Sequence, residues 1–208
     1  MSNLRRRPNF ITVEGIDGVG KSTVVEVIAN YLNGIKLNTV IVRQNKDTPL
    51  ARHVRSYLTA EEASDTSSTS FAFLFAASIN DSIEKIIEPA HLNGKVVISD
   101  RYTMSTRVYQ NDSKHIDKIC DIIESGLMPD LTFVLDAPPS VVKSRICSRD
   151  EETDVMESVD DEILNERRKG FLKLARVHKS NAHTIDASGS AECVASQIIK
   201  ILVKYYNS

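Results

Sequence analysis

Apolar positions recur along the chain with two different spacings, and each change of spacing marks an element boundary. Short β-branched runs appear at 10–14 ("FITVE"), 39–44 ("TVIVRQ"), 95–100 ("KVVISD"), 131–136 ("LTFVLD") and 182–186 ("AHTID"). Each is predicted to be a strand. "KVVISD" and "LTFVLD" are apolar at consecutive positions, the pattern of a strand covered on both faces. Between the runs the spacing lengthens to that of helices, over 21–33, 50–58, 70–92, 115–125, 139–148, 160–178 and 190–205. Alternation of this kind implies an α/β fold, a parallel sheet with helices on both faces. The polar stretch "EASDTSSTS" (62–70) reads as a loop with a helix cap. The acidic stretch "SRDEETDVMESVDDE" (148–162) lacks a sheet-like pattern and is expected to be a mobile loop. No internal repeat is visible, and 208 residues suit one domain.

Composition narrows the class. Hydrophobic residues make up 41% of the chain, enough for a real core and too many for a disordered protein. The 26 basic and 28 acidic side chains leave a net charge of −2, which argues against nucleic acid or an anionic membrane as partner. Arg5 to Arg7 read as a solvated leader, and the apolar run after them is too short for a signal-peptide core. No apolar run approaches the roughly 18 residues of a membrane span. Cys120, Cys147 and Cys193 are scattered without a CxxC, and the five histidines form no ligand cluster. That usage fits a reducing, cytoplasmic compartment.

The chemistry begins at "EGIDGVGKST", between the first strand and the first helix. Gly15, Gly20, Lys21 and Ser22 complete the P-loop pattern, in which backbone N–H groups and a helix N-terminus cradle phosphates. The ATP site is therefore expected over Gly15, Ile16, Asp17, Gly18, Val19, Gly20, Lys21, Ser22 and Thr23. Lys21 would reach the β- and γ-phosphates, and Ser22 would offer its hydroxyl to Mg²⁺. A GTPase order fails, since "NKDT" (45–48) is misplaced and "DASG" (186–189) comes only at the far end. A small kinase fits better. Asp17 is then odd, a carboxylate where anions gather. A second anion site is suggested by "VVISDRYTMSTRVYQ" (96–110), where Arg101 follows the end of a strand. Its guanidinium suits a phosphate or, equally, an ion pair with Asp100 or a neighbour.

Taken together, "EGIDGVGKST", "SDRYTMSTRVYQ", "GLMPDLTFVLDAPP" and "AHTIDAS" resemble the thymidylate kinase family, in its order and spacing over nearly the whole chain. The resemblance implies a three-layer P-loop fold, a five-stranded parallel sheet with a lid at about 148–160, and a homodimer. It implies transfer of the γ-phosphoryl group of ATP-Mg²⁺ to dTMP for dTTP synthesis. By that resemblance Asp17 turns from the donor to the acceptor's 3′-hydroxyl, Arg101 and Arg55 meet the acceptor phosphate, and Phe75 stacks on the base. Phe71, Phe73 and Phe75 share one helix, so at most one needs to face a ligand. Ser105, Thr106, Tyr109 and Gln110 line the base and sugar, with Tyr109 disfavouring a 2′-hydroxyl. Lys21, Asp17, Arg101 and the lid residues Arg145 and Arg149 form the implied catalytic set, and Ser22, Asp100 and Glu157 the metal set.

Three positions depart from the family pattern. Ile79 stands where an arginine usually reads the thymine edge, Asn45 replaces a proline, and Val155 replaces a lid arginine. Lys46 partly compensates for the second change, and Asn80 or Gln110 could read the base instead. The first-choice acceptor is dTMP, with dUMP or another pyrimidine deoxynucleotide as the alternative. A nucleotide-binding regulatory protein without turnover is the reading from a different class.

Overall fold

Five parallel strands in the order β2–β3–β1–β4–β5 run through the middle of the molecule. The structure, a computed structural model, describes residues 7–44, 46–147 and 160–206. The strands are β1 (Phe10–Glu14), β2 (Thr39–Arg43), β3 (Val96–Asp100), β4 (Leu131–Asp136) and β5 (Ala182–Asp186). All five lie where the β-branched runs predicted them. Two ends differ by one residue: β3 begins at Val96, and β2 ends at Arg43, with Gln44 continuing only through its N–H to the Asp100 carbonyl.

β1 occupies the centre and is buried throughout, and it pairs with β3 on one side and β4 on the other. Its Ile11 and Val13 join Ile98, Phe133 and Leu135 in one apolar cluster. α1 (Lys21–Gly34) covers that cluster with Val24, Val25, Ile28 and Leu32, and α9 (Ala191–Tyr206) adds Val194, Ile198 and Leu202. A second cluster gathers Phe10, Val42, Val97 and Tyr102 against Ile79, Ile83 and Ile87. Helices of both clusters thus exclude water from the sheet, as the alternation of periods requires.

The remaining helices are α2 (Pro49–Leu58), α3 (Ser68–Ser82), α4 (Glu88–Leu92), α5 (Thr103–Tyr109), α6 (Ile116–Gly126), α7 (Pro139–Cys147) and α8 (Asp161–Val177). The helix predicted over 70–92 starts earlier, at Ser68, because the Ser67 hydroxyl caps it by accepting from the Ser70 N–H at 3.1 Å. It is also interrupted by a π-helical turn, Ile83–Ile87. Pro89 explains the break, since it has no N–H to give to the preceding turn. The polar stretch before it holds a 3₁₀ turn, Glu61–Asp65, and then that cap. α5 has no counterpart among the predicted helices.

Arg149, Asp154, Val155, Glu157 and Asn45 lie outside the described residues, as does nearly all of the expected lid. Among the described residues no helix is long and apolar enough to cross a membrane, and no cluster of histidine, cysteine or carboxylate suits a metal ion.

Candidate functional site

The C-terminal ends of β1 and β3 lie side by side, with Val13 paired to Asp100. The segments leaving these two strands therefore meet at one edge of the sheet. After β1 comes the glycine loop, which needs conformations and space that a side chain forbids. At Gly15 (φ 139°) a Cβ would lie 2.7 Å from the Leu135 carbonyl oxygen. At Gly18 (φ 76°) it would lie 2.8 Å from Ile146 and 2.9 Å from Val142, both on α7. The loop ends at Gly20, the left-handed N-cap of α1. The first N–H groups of α1 have no partner within the helix and carry its positive end.

Lys21 is buried, and its ammonium donates to the Ile16 carbonyl at 2.9 Å, across the loop it serves. Burial, with Arg101 nearby, pushes its pKa down to about 8, against the pull of Asp17, Asp100 and Glu14. The Ser22 hydroxyl donates to Asp100 Oδ2 at 3.2 Å. These two oxygen groups sit together on the open side of the loop, and they are the hard donors that Mg²⁺ prefers.

Asp17 does not face the phosphate cradle alone. Its Oδ1 is in contact with Arg101 Nη2 and lies 3.9 Å from Lys21 Nζ, while its Oδ2 accepts from the Tyr109 hydroxyl at 2.6 Å. Burial by itself would raise this carboxyl. The charges of Arg101 and Lys21 and the hydrogen bonds from Tyr109 and Arg101 outweigh it and hold Asp17 well below the usual carboxylate range. The acid is thus drawn toward β3 and α5, and its charge is balanced by two cations.

Arg101 has φ 73°, a conformation uncommon outside glycine and a form of strain that collects at functional sites. The surrounding bonds determine it. Its N–H donates to the Val13 carbonyl at 3.0 Å, and its carbonyl accepts from the Ser99 hydroxyl at 2.7 Å. Its Nη1 donates to Ser105 Oγ at 2.9 Å and to the Gly15 carbonyl at 3.3 Å. The guanidinium carbon also lies 5.1 Å from the centre of the Tyr109 ring.

Other expected positions are distributed unevenly. Ser105 uses its hydroxyl on Glu14 and Arg101. Thr106 and Gln110 are buried too, and Gln110 Oε1 accepts from Ser68 at 3.4 Å, while its amide N–H groups have no hydrogen bond among the described residues. Of the three phenylalanines, Phe71 is buried, Phe73 is exposed and Phe75 is half-buried, its ring 6.4 Å from that of Phe71. Arg55 is half-buried in the last turn of α2. Ile79 is 4% exposed inside the second apolar cluster, and Asn80 is on the solvent side, donating to Glu84 at 2.8 Å. Asn80 is therefore no substitute for the missing arginine. Arg145 belongs to α7, and it donates to the Val19 carbonyl at 3.2 Å and the Gly189 carbonyl at 2.6 Å. It braces the glycine loop.

Two contributors were not singled out in the sequence. Glu14 ends an otherwise uncharged strand and is buried; an acid in that position was the available signal. Arg167 of α8 lies with its guanidinium carbon 4.7 Å from the centre of the Tyr109 ring. Nothing local in its helix marks it. α8 approaches α5 closely at Gly170, where a Cβ would be 3.3 Å from Val108.

Comparison with known proteins agrees with this geometry. The profile of the family described as thymidylate kinase matches residues 13–198. A thymidylate kinase of Ruegeria pomeroyi is 33% identical over 202 residues, covering 95% of this chain and 96% of its own. One of Bartonella quintana is 33% identical over 200 residues (92% and 94%), and one of Dinoroseobacter shibae 34% over 194 residues (91% and 94%). With a complete glycine loop, a second cationic centre at the neighbouring strand end and this similarity along its length, the chain belongs to the thymidylate kinase family.

Proposed function

We propose that the chain performs the reaction of its family, moving the terminal phosphoryl group of ATP to dTMP to give dTDP. One observation carries the assignment of roles: Asp17, a residue of the glycine loop, is held from the opposite side by Arg101 and Tyr109. A loop that bound only ATP would have no use for that link. It supports a reading in which the acceptor sits beside the donor.

In this reading the N–H groups of Gly15 to Thr23 and the Lys21 ammonium hold the donor phosphates. Arg101 holds the acceptor phosphate, with Arg55 near it. Asp17 accepts from the 3′-hydroxyl, and Tyr109 closes the space beside the sugar. Phe75 is the ring for the base. Thr106 and Gln110 line the base, and the unused amide N–H of Gln110 is the donor for a pyrimidine carbonyl. Ser22 and Asp100, with Glu157, would hold Mg²⁺, which when bound supplies positive charge to the donor phosphates. The chemistry balances without a general base. An anionic oxygen of the acceptor phosphate forms the new P–O bond, and the bond to the bridging oxygen of ADP breaks. The protein's work is orientation and charge stabilisation. Arg145 braces the loop, and Arg149 is the candidate for the transferring group.

We further assign the chain to the cytoplasm as a homodimer with a lid at about 148–160. Three free cysteines support the compartment. The exposed Phe73 on α3 and the half-exposed Tyr57 on α2 supply apolar surface for a second copy.

The test is an ADP-release assay with ATP-Mg²⁺ and a panel of dTMP, dUMP, dCMP, dGMP and dAMP. Strong preference for dTMP is expected, read without a side-chain donor at Ile79. Preference for dUMP would make the buried Ile79 the cause of relaxed base choice. No acceptor-dependent turnover would overturn the kinase reading in favour of nucleotide binding alone.

A further inference from the structure

Glu14 is 1% exposed at the end of the central strand, directly before the glycine loop. A carboxylate in such a place is costly unless it is hydrogen-bonded. Its hydrogen-bond partners, Tyr102 and Ser105, both belong to the segment that carries Arg101. Oε1 accepts from the Tyr102 N–H at 2.8 Å, and Oε2 accepts from the Ser105 hydroxyl at 2.5 Å. The Ser105 oxygen in turn accepts from Arg101 Nη1 at 2.9 Å.

The first bond holds the peptide directly after the left-handed Arg101, and the second holds one hydrogen of its guanidinium. Arg101 is therefore suspended between two carboxylates. Asp17 takes Nη2 directly, and Glu14 takes Nη1 through Ser105. With the Gly15 carbonyl included, three of the five guanidinium N–H groups are committed to protein oxygens. Among the described residues, one N–H on Nη2 and the one on Nε have no carboxylate or carbonyl partner and stand beside the Tyr109 hydroxyl. Which donors are left, and which way they face, is decided from behind by Glu14.

We propose that Glu14 is a positioning residue for the acceptor phosphate, acting through Ser105 and the Tyr102 peptide to hold Arg101 in its strained conformation. This deepens the assignment of Arg101 made above and rests on it. Glu14 touches neither substrate. Its loss is felt as acceptor binding and orientation, and the donor side is spared.

The experiment is steady-state kinetics on the full-length protein for Glu14→Gln, Ser105→Ala, the double variant and Arg101→Ala, varying dTMP and ATP separately. Glu14→Gln keeps the volume and the acceptor for the Tyr102 N–H and loses the charged acceptor for Ser105. A lost hydrogen bond to a charged group should raise the KM for dTMP roughly 10- to 100-fold, with the KM for ATP changed less than about twofold. Ser105→Ala should show the same split, and the double variant should be no worse than the poorer single one. The proposal is overturned if folded Glu14→Gln keeps the wild-type KM for dTMP while Arg101→Ala raises it. It is equally overturned if both KM values rise together or if the two single effects multiply. Should Glu14→Gln not fold, Ser105→Ala alone decides: a wild-type KM for dTMP overturns the proposal, and the split supports it. If Arg101→Ala leaves the KM for dTMP unchanged, the parent assignment fails, and this one with it.

Discussion

The proposed donor and acceptor halves of the site are built in opposite ways. The donor half is one uninterrupted stretch, Gly15 to Thr23, and it works largely through backbone groups at the start of α1. The acceptor half is assembled from side chains of β1, the glycine loop, α2, α3, the end of β3, α5 and α8. Its key contacts join residues 84 and 92 positions apart in sequence, Arg101 and Tyr109 with Asp17. A backbone cradle tolerates changes in neighbouring side chains as long as its glycines remain. A side-chain cluster with balanced charges fails when one member is removed, because the others stay buried without a partner.

The largest expected effect tests that contrast directly. Arg101→Ala leaves Asp17 with Lys21 as its only cation among the described residues, and should lower kcat/KM for dTMP on the order of 10³-fold. ATP affinity, measured by equilibrium binding, should stay near wild type. Equal losses on both sides would break the division into halves.

A second effect concerns stability and runs the other way. Burial, opposed by hydrogen bonds from Ser105 and the charge of Arg101, pushes the Glu14 carboxyl from 4.5 up to about 7. The folded protein then holds this proton more tightly than the unfolded chain, so stability falls as pH rises from about 4.5 to about 7. Above that range the whole penalty is present. Glu14→Gln removes the dependence, so its stability relative to wild type should improve by about 3 kcal/mol between pH 5 and pH 8. Urea unfolding of both proteins at the two pH values checks it. A residue that weakens the fold and strengthens the acceptor half marks that half as the expensive one.

On the donor side, Gly18→Ala forces a Cβ against Ile146 and Val142 in a left-handed conformation. A loss of about 2 kcal/mol is expected, or a thermal midpoint lower by about 4–8 °C, with weaker ATP binding. The smallest effect is Arg167→Ala. Removing a half-buried cation from the Tyr109 ring should raise the KM for dTMP about two- to fivefold and leave kcat and the KM for ATP alone.

The same contrast explains what could be read from the chain. All five strands were legible, because buried parallel strands are nearly continuous apolar runs. The glycine loop was legible because its function resides in consecutive residues. Arg101 could be placed at the sheet edge, but whether it met a phosphate or a carboxylate stayed open, and the structure adds that it meets Asp17. α5 was hidden because "TMSTRVY" looks polar while six of its seven residues are buried. The burial is made possible by partners distant in sequence: Arg107 pairs with Asp121 at 2.7 Å and Glu124 at 2.9 Å on α6. Arg167 was indistinguishable from a solvated helix face, since only the approach of α8 to α5 gives it a role. The bidentate pair of Arg168 with Asp136 was hidden for the same reason.

The tight seat of Gly18 under α7 also limits what mutation can reach. Glycine and arginine codons differ by a single first-base change, so a cation inside the glycine loop is one genetic step away. In this chain that step leads into the Ile146 and Val142 side chains, 2.8 and 2.9 Å from where the first carbon would stand. A loop arginine could arise only after α7 had first been trimmed at one of those residues, and that trimming alone would leave a hole beside the glycine loop. Each intermediate is worse than its parent, so a lineage with this packing stays confined to cations supplied from elsewhere in the chain.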